Sequence, residues 1–121
     1  KDGGKKLSTN FAVKEFACKD GSDAVLVAPR LVMVLQSIRS RFGAAVTINS
    51  GYRTPQYNAK VGGVAHSQHC YGTAADITVR GQKPAAVAAY ARQLMPDWGG
   101  VGVYDSFTHI DTREVRADWN G

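Results

Sequence analysis

Apolar residues recur in two stretches of the chain with the three- to four-residue spacing of an amphipathic helix. In the first stretch they are Leu31, Leu35, Ile38 and Phe42. Pro29 suits the first position of this helix, and Gly43 suits the position just beyond its end. In the second stretch, which opens at Pro84, they are Val87, Tyr90, Ala91 and Leu94. Both stretches are therefore predicted to be helices with one side facing the core.

The remaining pattern predicts one shorter helix and four strands. Thr54-Pro55 is a cap followed by a first helical residue, and Gly62-Gly63 would end that helix. Residues 45–50 and 73–79 alternate in polarity as strands do, and 99–104 and 107–112 flank a turn at Asp105-Ser106. The last two strands lie too close together for a parallel crossover. The predicted fold is therefore α+β, with helices packed on a mostly antiparallel sheet.

The length of 121 residues suits a single domain. We predict a flexible linker or cut end at residues 1–9 and the domain at residues 10–121, because residues 1–6 carry charge and glycine without the apolar stretch of a signal peptide. Since the chain begins at Lys1 rather than Met, we expect it to be part of a longer, multidomain protein. We also expect the domain to be a monomer. No stretch approaches the roughly 18 apolar residues of a membrane span.

The formal net charge of +5 favours anionic partners. The lysines and arginines are nevertheless scattered, and no basic run is interleaved with aromatic residues as in proteins that bind single-stranded nucleic acid. The charge therefore predicts a basic solvated surface and no nucleic-acid partner. Two cysteines, Cys18 and Cys70, are too few for a disulfide scaffold and favour free thiols.

Candidate chemistry is concentrated around three polar residues on or beside the predicted strands. Asp76 lies on the face of its strand opposite to the apolar Ala75, Ile77 and Val79. A carboxylate among small residues is costly without a partner, and a metal ion is one suitable partner. His69 precedes this strand by a glycine turn, and His109 shares a face of the last strand with Phe107 and Asp111.

His69, Asp76 and His109 together offer two nitrogens and one oxygen. This is a ligand set of catalytic zinc, whose fourth position stays open to water. Zinc lowers the pKa of that water and polarises a substrate carbonyl. The same three residues could instead form a hydrogen-bonded structural cluster, and their spacing leaves both interpretations open.

Four short motifs follow one another along the chain. They are Ser-Gly-Tyr-Arg-Thr-Pro at 50–55, Ser-x-His-x-x-Gly-x-Ala-x-Asp at 67–76, Gly-Gly-Val-Gly at 99–102 and Phe-x-His-x-Asp at 107–111. In this order they resemble the M15 peptidases, which are zinc D-Ala-D-Ala carboxypeptidases and related murein endopeptidases. The likeness runs from about Asn10 to Trp119 and implies the fold that these enzymes share with hedgehog signalling domains.

The resemblance also implies roles for individual residues. His69, Asp76 and His109 would be the zinc ligands. Arg53 would lie in the cleft and bind a carboxylate or a backbone carbonyl of the substrate, a task that its planar donor fork suits; a surface salt bridge is the alternative. Ser67 and Tyr52 are expected to contact the substrate. Ser67 could instead cap the turn, and Tyr52 could instead pack.

The general base is the role that the motifs leave open. Several M15 relatives carry a carboxylate three residues before the last histidine ligand, where this chain has Ser106. The nearby candidates are Asp105, which could swing from the turn toward the metal, and Asp111, which could hold the water or orient a ligand. His66 has no counterpart in the motifs and is expected to be exposed to solvent.

The resemblance implies zinc-dependent hydrolysis of peptide bonds in the stem or cross-link peptides of bacterial peptidoglycan. The enzyme would be a D,D-carboxypeptidase or an endopeptidase, for example the catalytic domain of an endolysin. It would act at the bacterial cell wall, outside the cell or in the periplasm, or be encoded by a phage and released to the wall. The alternative is a non-catalytic, zinc-stabilised module that binds the cell wall, as the hedgehog relationship permits.

Overall fold

In this computed structural model, the described part of the chain comprises residues 6–21, 25–63 and 67–121. Its strands are β1 (Lys6–Ser8), β2 (Phe11–Ala12), β3 (Val46–Ser50), β4 (Ala74–Val79), β5 (Gly100–Val103), β6 (Thr108–Asp111) and β7 (Ala117–Asn120). Its helices are α1 (Pro29–Phe42), α2 (Pro55–Lys60) and α3 (Pro84–Leu94), with single 3₁₀ turns at Val13–Phe16 and Gln68–Tyr71. His66 lies outside the described residues, so its exposure stays a prediction.

The three predicted helices are confirmed. Each begins with a proline, which suits this position because the first helical N–H has no partner within the helix. The hydroxyl of Thr54 accepts the backbone N–H of Tyr57 at 3.1 Å and so caps α2, as predicted. Helix α1 ends at Gly43, whose φ of 58° lies in the left-handed region that glycine adopts without strain.

Five strands form one sheet in the order β3-β4-β6-β5-β7. All neighbours are antiparallel except β5 and β7, which run parallel. The predicted α+β fold with a mostly antiparallel sheet is therefore confirmed. Strand β7 was not predicted, because its four residues, Ala-Asp-Trp-Asn, alternate in polarity only briefly, include no β-branched residue and include Asp and Asn, which are depleted in strands. Its strand conformation depends on pairing with β5.

The N-terminal segment departs from the predicted domain boundary. Residues 6–8, which the sequence placed in a linker, form strand β1 and pair with β2. Ser8 and Asn10 also reach helix α1, because both contact the side-chain amide of Gln36 through hydrogen bonds of 2.7 Å. These contacts are made by polar side chains, so the hydrophobic pattern gave no sign of them.

The two faces of the sheet differ in chemistry. One face packs against α1 and α3 and forms the core, where Ala75, Ile77 and Ile110 are completely buried. The opposite face carries the polar residues of β4 and β6. No helix in the described ranges has the length and apolar character needed to cross a membrane. Cys18 and Cys70 are both free thiols.

Candidate metal centre and active-site cleft

Three buried side chains, His69, Asp76 and His109, lie together on the polar face of the sheet. Asp76 on β4 and His109 on β6 are direct partners in the antiparallel register, so their side chains leave the same face. His69 comes from the 3₁₀ turn before β4, where the Ser67 hydroxyl accepts its backbone N–H at 3.2 Å. One potential ligand atom from each of the three residues lies within 4.8 Å of the others.

The ring of His69 is fixed by a backbone carbonyl. Its Nδ1 lies 2.8 Å from the carbonyl oxygen of Gly51. A carbonyl oxygen can only accept, so Nδ1 carries the proton and donates it. In the neutral ring Nε2 is then left with its lone pair, and it lies 3.3 Å from Asp76 Oδ2. A lone pair that faces a carboxylate oxygen is suited to share a cation with it.

The ring of His109 lies between two carboxylates. Its Nδ1 is 2.8 Å from Asp76 Oδ1, and its Nε2 is 2.8 Å from Asp111 Oδ2. Asp111 thus engages the nitrogen that points away from Asp76. Carboxylates commonly hold metal-binding histidines in this way, which fixes the tautomer and the orientation of the ring.

Asp111 is completely buried and held by several donors. Its Oδ1 accepts the backbone N–H of Gly100 at 2.9 Å and Arg113 Nε at 2.9 Å, while its Oδ2 accepts Arg113 Nη2 at 2.6 Å. A β-carbon at position 100 would overlap this carboxylate, so the close approach requires glycine. Asp111 is therefore fixed in position against the Nε2 of His109, where a carboxylate could orient that ring.

The charges within this cluster stabilise one another. Burial alone would raise the pKa of Asp76, but hydrogen bonds from His109 and from the protonated form of His69 outweigh it and hold that pKa well below its ordinary value. The pKa of Asp111 is lowered in the same way, because hydrogen bonds from His109 and Arg113 outweigh its burial. Burial would lower the pKa of His109, but Asp111 and Asp76 outweigh it and raise that pKa.

Arg53 lies beside the cluster, with Nη2 3.7 Å from Asp76 Oδ2. Two hydrogen bonds fix its guanidinium: Nε donates to Ser50 Oγ at 3.3 Å, and Nη1 donates to Asn58 Oδ1 at 3.1 Å. Its backbone N–H donates to the carbonyl of His69 at 3.1 Å. The side chain is only 17% exposed, so it presents a fixed cation to the space in front of the cluster.

This space is a cleft with a volume of about 480 Å³. The cluster on β4 and β6 lies in it. Arg53 follows β3 at one edge of the sheet, and Tyr104 and Trp119 lie after β5 and on β7 toward the other edge, so the strand order places them across the cluster from Arg53. The residues that line it are Arg53, Gly62, Gly63, Ser67, Gln68, His69, Asp76, Tyr104, Phe107, His109, Arg113 and Trp119. The structure thus brings together the three predicted metal ligands, Arg53 and Ser67.

Three other predicted site residues do not line the cleft. Tyr52 is buried and does not line the cleft, so a substrate contact of its side chain stays a prediction. Asp105 is exposed in the turn between β5 and β6. Asp111 lies beneath His109, as described above. Ser106, where relatives carry a carboxylate, is also exposed in the β5–β6 turn.

Asn58, which holds Arg53, and three residues that line the cleft, Tyr104, Arg113 and Trp119, were not predicted from the sequence. Period-two alternation could have found two of them. Tyr104 continues the face of Gly100 and Gly102, and Arg113 continues the face of His109 and Asp111. Trp119 and Asn58 reach the site only through the pairing of β7 and the placement of α2. Local sequence patterns carry no signal for either.

The donor set fits zinc. Two imidazole nitrogens and one carboxylate oxygen are typical ligands of catalytic zinc. Each histidine also has its other nitrogen engaged by a protein oxygen, from Gly51 or Asp111, as is usual behind metal ligands. His69, Asp76 and His109 are therefore the residues that would hold the ion.

Comparison with known proteins identifies the family. The family described as Peptidase M15 matches residues 6–111, which include all three candidate ligands. A stretch of 83 residues is 41% identical to the zinc D-Ala-D-Ala carboxypeptidase of Streptomyces albus G. This match covers 63% of the chain but only 31% of that relative, so the chain spans a minor part of the relative's length. The family match, the identity to this relative and the His-Asp-His cluster agree with the four motifs: the chain belongs to the M15 family of zinc metallopeptidases.

Proposed function

We propose that this domain hydrolyses peptide bonds in the stem or cross-link peptides of bacterial peptidoglycan. The observation that carries the proposal is the cluster of His69, Asp76 and His109 at the base of an open cleft, with the cation of Arg53 beside it. The similarity to a protein named as a zinc D-Ala-D-Ala carboxypeptidase supports a substrate of this class.

The chemistry divides between the metal and the residues around it. A bound zinc ion supplies Lewis acidity toward the scissile carbonyl and a lowered pKa for water. Arg53 binds an oxygen of the peptide through its fixed donor fork, and this holds the scissile bond beside the cluster. Gly51 and Asp111 keep the rings of His69 and His109 from turning, so the site is organised before substrate binds.

Arg53 is suited to two kinds of substrate group. A terminal carboxylate would accept both arms of the guanidinium, whereas a backbone carbonyl within a cross-link would accept one. The first mode corresponds to a D,D-carboxypeptidase and the second to an endopeptidase, including one that serves as an endolysin. Either enzyme would meet its substrate at the cell wall, outside the cytoplasmic membrane, whether it is made by a bacterium or by a phage.

One observation favours a second candidate, a zinc-stabilised module that binds the cell wall without cutting it. Asp76 is the only carboxylate among the described residues that line the cleft. Asp111 is fully engaged, and Asp105 is exposed outside the cleft. If no other group accepts a proton there, the domain retains zinc and substrate but does not hydrolyse a bond.

Mass spectrometry of defined muropeptides incubated with the zinc-loaded domain separates these candidates. We expect a product whose mass identifies the bond, and no product with His69→Ala. A stem pentapeptide ending in D-Ala-D-Ala and a cross-linked dimer, tested side by side, distinguish the carboxypeptidase from the endopeptidase. Stoichiometric zinc and measurable peptide binding without any product would reject the peptidase proposal in favour of the binding module.

A further inference from the structure

The wall of the cleft opposite Arg53 is aromatic. It is formed by Tyr104 and Phe107, at the two ends of the β5–β6 turn, and by Trp119 of β7. The family match covers residues 6–111, so Trp119 lies outside the matched residues. We call these three side chains the aromatic wall. Neither the metal centre nor Arg53 explains why they are arranged as they are.

Trp119 is placed by the strand next to it. Its partner in the parallel register is Gly102, whose other partner, across the antiparallel pair, is His109. A β-carbon at position 102 would lie within 3 Å of the indole ring, so glycine leaves the room that the ring occupies. The indole consequently lies against the metal centre, with its ring centroid 5.0 Å from that of His109.

Tyr104 is held on two sides. Its ring is stacked on Phe107, with the centroids 4.4 Å apart and the planes at 10°. Its hydroxyl lies 2.9 Å from Trp119 Nε1. The indole nitrogen can only donate, so the tyrosine oxygen accepts and its own proton stays available for another acceptor. In the described part of the chain no acceptor receives that proton.

We propose that Tyr104 is a substrate-binding residue, whose hydroxyl donates a hydrogen bond to a carbonyl or carboxylate oxygen of the bound peptide. This inference rests on the proposed function, because it assumes a peptide in the cleft. The stacking on Phe107 and the donor of Trp119 fix the hydroxyl before substrate arrives. Binding then orders no flexible side chain, which preserves the binding energy of the new hydrogen bond.

The aromatic wall and Arg53 would contact the peptide from opposite sides of the metal centre. Arg53 is a cation and Tyr104 a neutral donor, so the two can bind two different oxygens of one peptide. The size of the effect on removing the tyrosine hydroxyl identifies its partner. Loss of a hydrogen bond to a neutral carbonyl lowers affinity about 3- to 10-fold, and loss of one to a carboxylate lowers it about 10- to 100-fold.

The test compares Tyr104→Phe with wild type by two independent measurements. One is kcat/KM for a stem pentapeptide ending in D-Ala-D-Ala with the zinc-loaded domain. The other is the Kd of the same peptide for the metal-free domain, followed by the fluorescence of Trp119 in a Trp98→Phe background. We expect Tyr104→Phe to lower kcat/KM and to raise Kd by similar factors of at least about 3-fold, with zinc content and Tm unchanged.

Tyr90→Phe is the matched control, because the Tyr90 ring packs against Phe42, away from the cleft. Trp119→Phe keeps an aromatic ring but removes the donor. We expect it to lower kcat/KM, which is the readout for this variant because it lacks the fluorescent reporter, since the Tyr104 hydroxyl is no longer fixed. If wild type cleaves the peptide and Tyr104→Phe matches it in both kcat/KM and Kd, the inference is wrong and the proposed function stands. If wild type cleaves nothing, the peptidase proposal fails, and the Kd comparison alone decides whether Tyr104 binds peptide.

Discussion

Asp76 and His109 are direct partners across strands β4 and β6, and His109 Nδ1 lies 2.8 Å from Asp76 Oδ1. Two of the three candidate ligands are therefore positioned by the register of the sheet rather than by a loop. A slip of one residue in this pairing would turn one of them toward the core, where burial of Ala75, Ile77 and Ile110 opposes it. The core thus stabilises the geometry of the metal centre on the opposite face.

Replacement of a ligand should remove zinc without unfolding the domain. In Asp76→Asn the side chain keeps its volume but loses the charge that both histidines face. We expect zinc affinity to fall by more than the roughly 10- to 100-fold that loss of an outer partner costs. Metal content after dialysis, measured by mass spectrometry, checks this, and the exposed Asp97→Asn is the control. Retention of one zinc per chain in Asp76→Asn would show that the cluster is not the metal site.

Asp111→Asn should weaken zinc binding although Asp111 does not line the cleft. The amide cannot accept the Nε2 proton of His109 as strongly, and Arg113 loses its buried counter-ion. We expect zinc affinity to fall about 10- to 100-fold and the free energy of unfolding to fall measurably. Both are obtained from competition with a zinc chelator and from urea unfolding.

Asp118→Asn is the control for Asp111→Asn. Asp118 also contacts two arginines, Arg92 and Arg116, but its side chain is 49% exposed. Solvent screens that contact, so the change should be small. If Asp118→Asn lowered zinc affinity and the free energy of unfolding as much as Asp111→Asn does, the contact of Asp111 with His109 would not explain the effect of Asp111→Asn.

The metal-free domain should lose stability as the pH rises above neutrality. The pKa of His109 is raised in the folded state, since Asp111 and Asp76 outweigh its burial. A raised pKa contributes stability that is complete below the unfolded value of about 6.5 and is lost as pH rises through the folded value. The free energy of unfolding, measured with urea in the presence of a chelator, should therefore decrease as the pH rises above about 6.5.

Two comparisons check this assignment to His109. The decrease should be absent in His109→Gln. With saturating zinc the trend should reverse, since protons compete with the metal for the imidazole. At the acid end, the lowered pKa values of Asp76 and Asp111 mean that their contribution is lost as pH falls below about 4. An increase in the stability of the metal-free wild type from pH 6 to 9 would contradict the assignment.

The sequence predicted the parts of this fold that local patterns determine. Helix α1 was predicted with both ends, because its apolar spacing, its first proline and Gly43 all indicate the same element. The grouping of His69, Asp76 and His109 was predicted because strand alternation and the motifs agree. The parts that were missed depend on partners far away in the chain. Strand β7 exists because β5 offers it an edge, and Trp119 reaches the site only through that pairing.

The expectations for Tyr52 and Asp105 illustrate the same limit within the site. Tyr52 lies next to Arg53 in the first motif, and Asp105 lies just before the motif that contains His109. The side chain of Arg53 lines the cleft, whereas Tyr52 is buried and does not line it. Asp105 lies in the tight β5–β6 turn and is exposed there. A motif therefore predicted which residues are near the site but not which side chains enter it.

Arg53 should affect substrate affinity and leave zinc binding unchanged. Its guanidinium is fixed by Ser50 and Asn58, so Arg53→Lys keeps the charge but loses the fork and both of those contacts. We expect Arg53→Ala to raise KM roughly 10-fold or more. Arg53→Lys should have a KM close to that of Arg53→Ala. Asn58→Ala should raise KM by less, because the guanidinium is still present but is no longer held in place. Steady-state kinetics on the stem pentapeptide, with zinc content measured in parallel and the exposed Arg80→Ala as control, tests the series. If Arg53→Lys equalled wild type, charge alone would suffice, and the fixed orientation of the guanidinium would have no part in recognition.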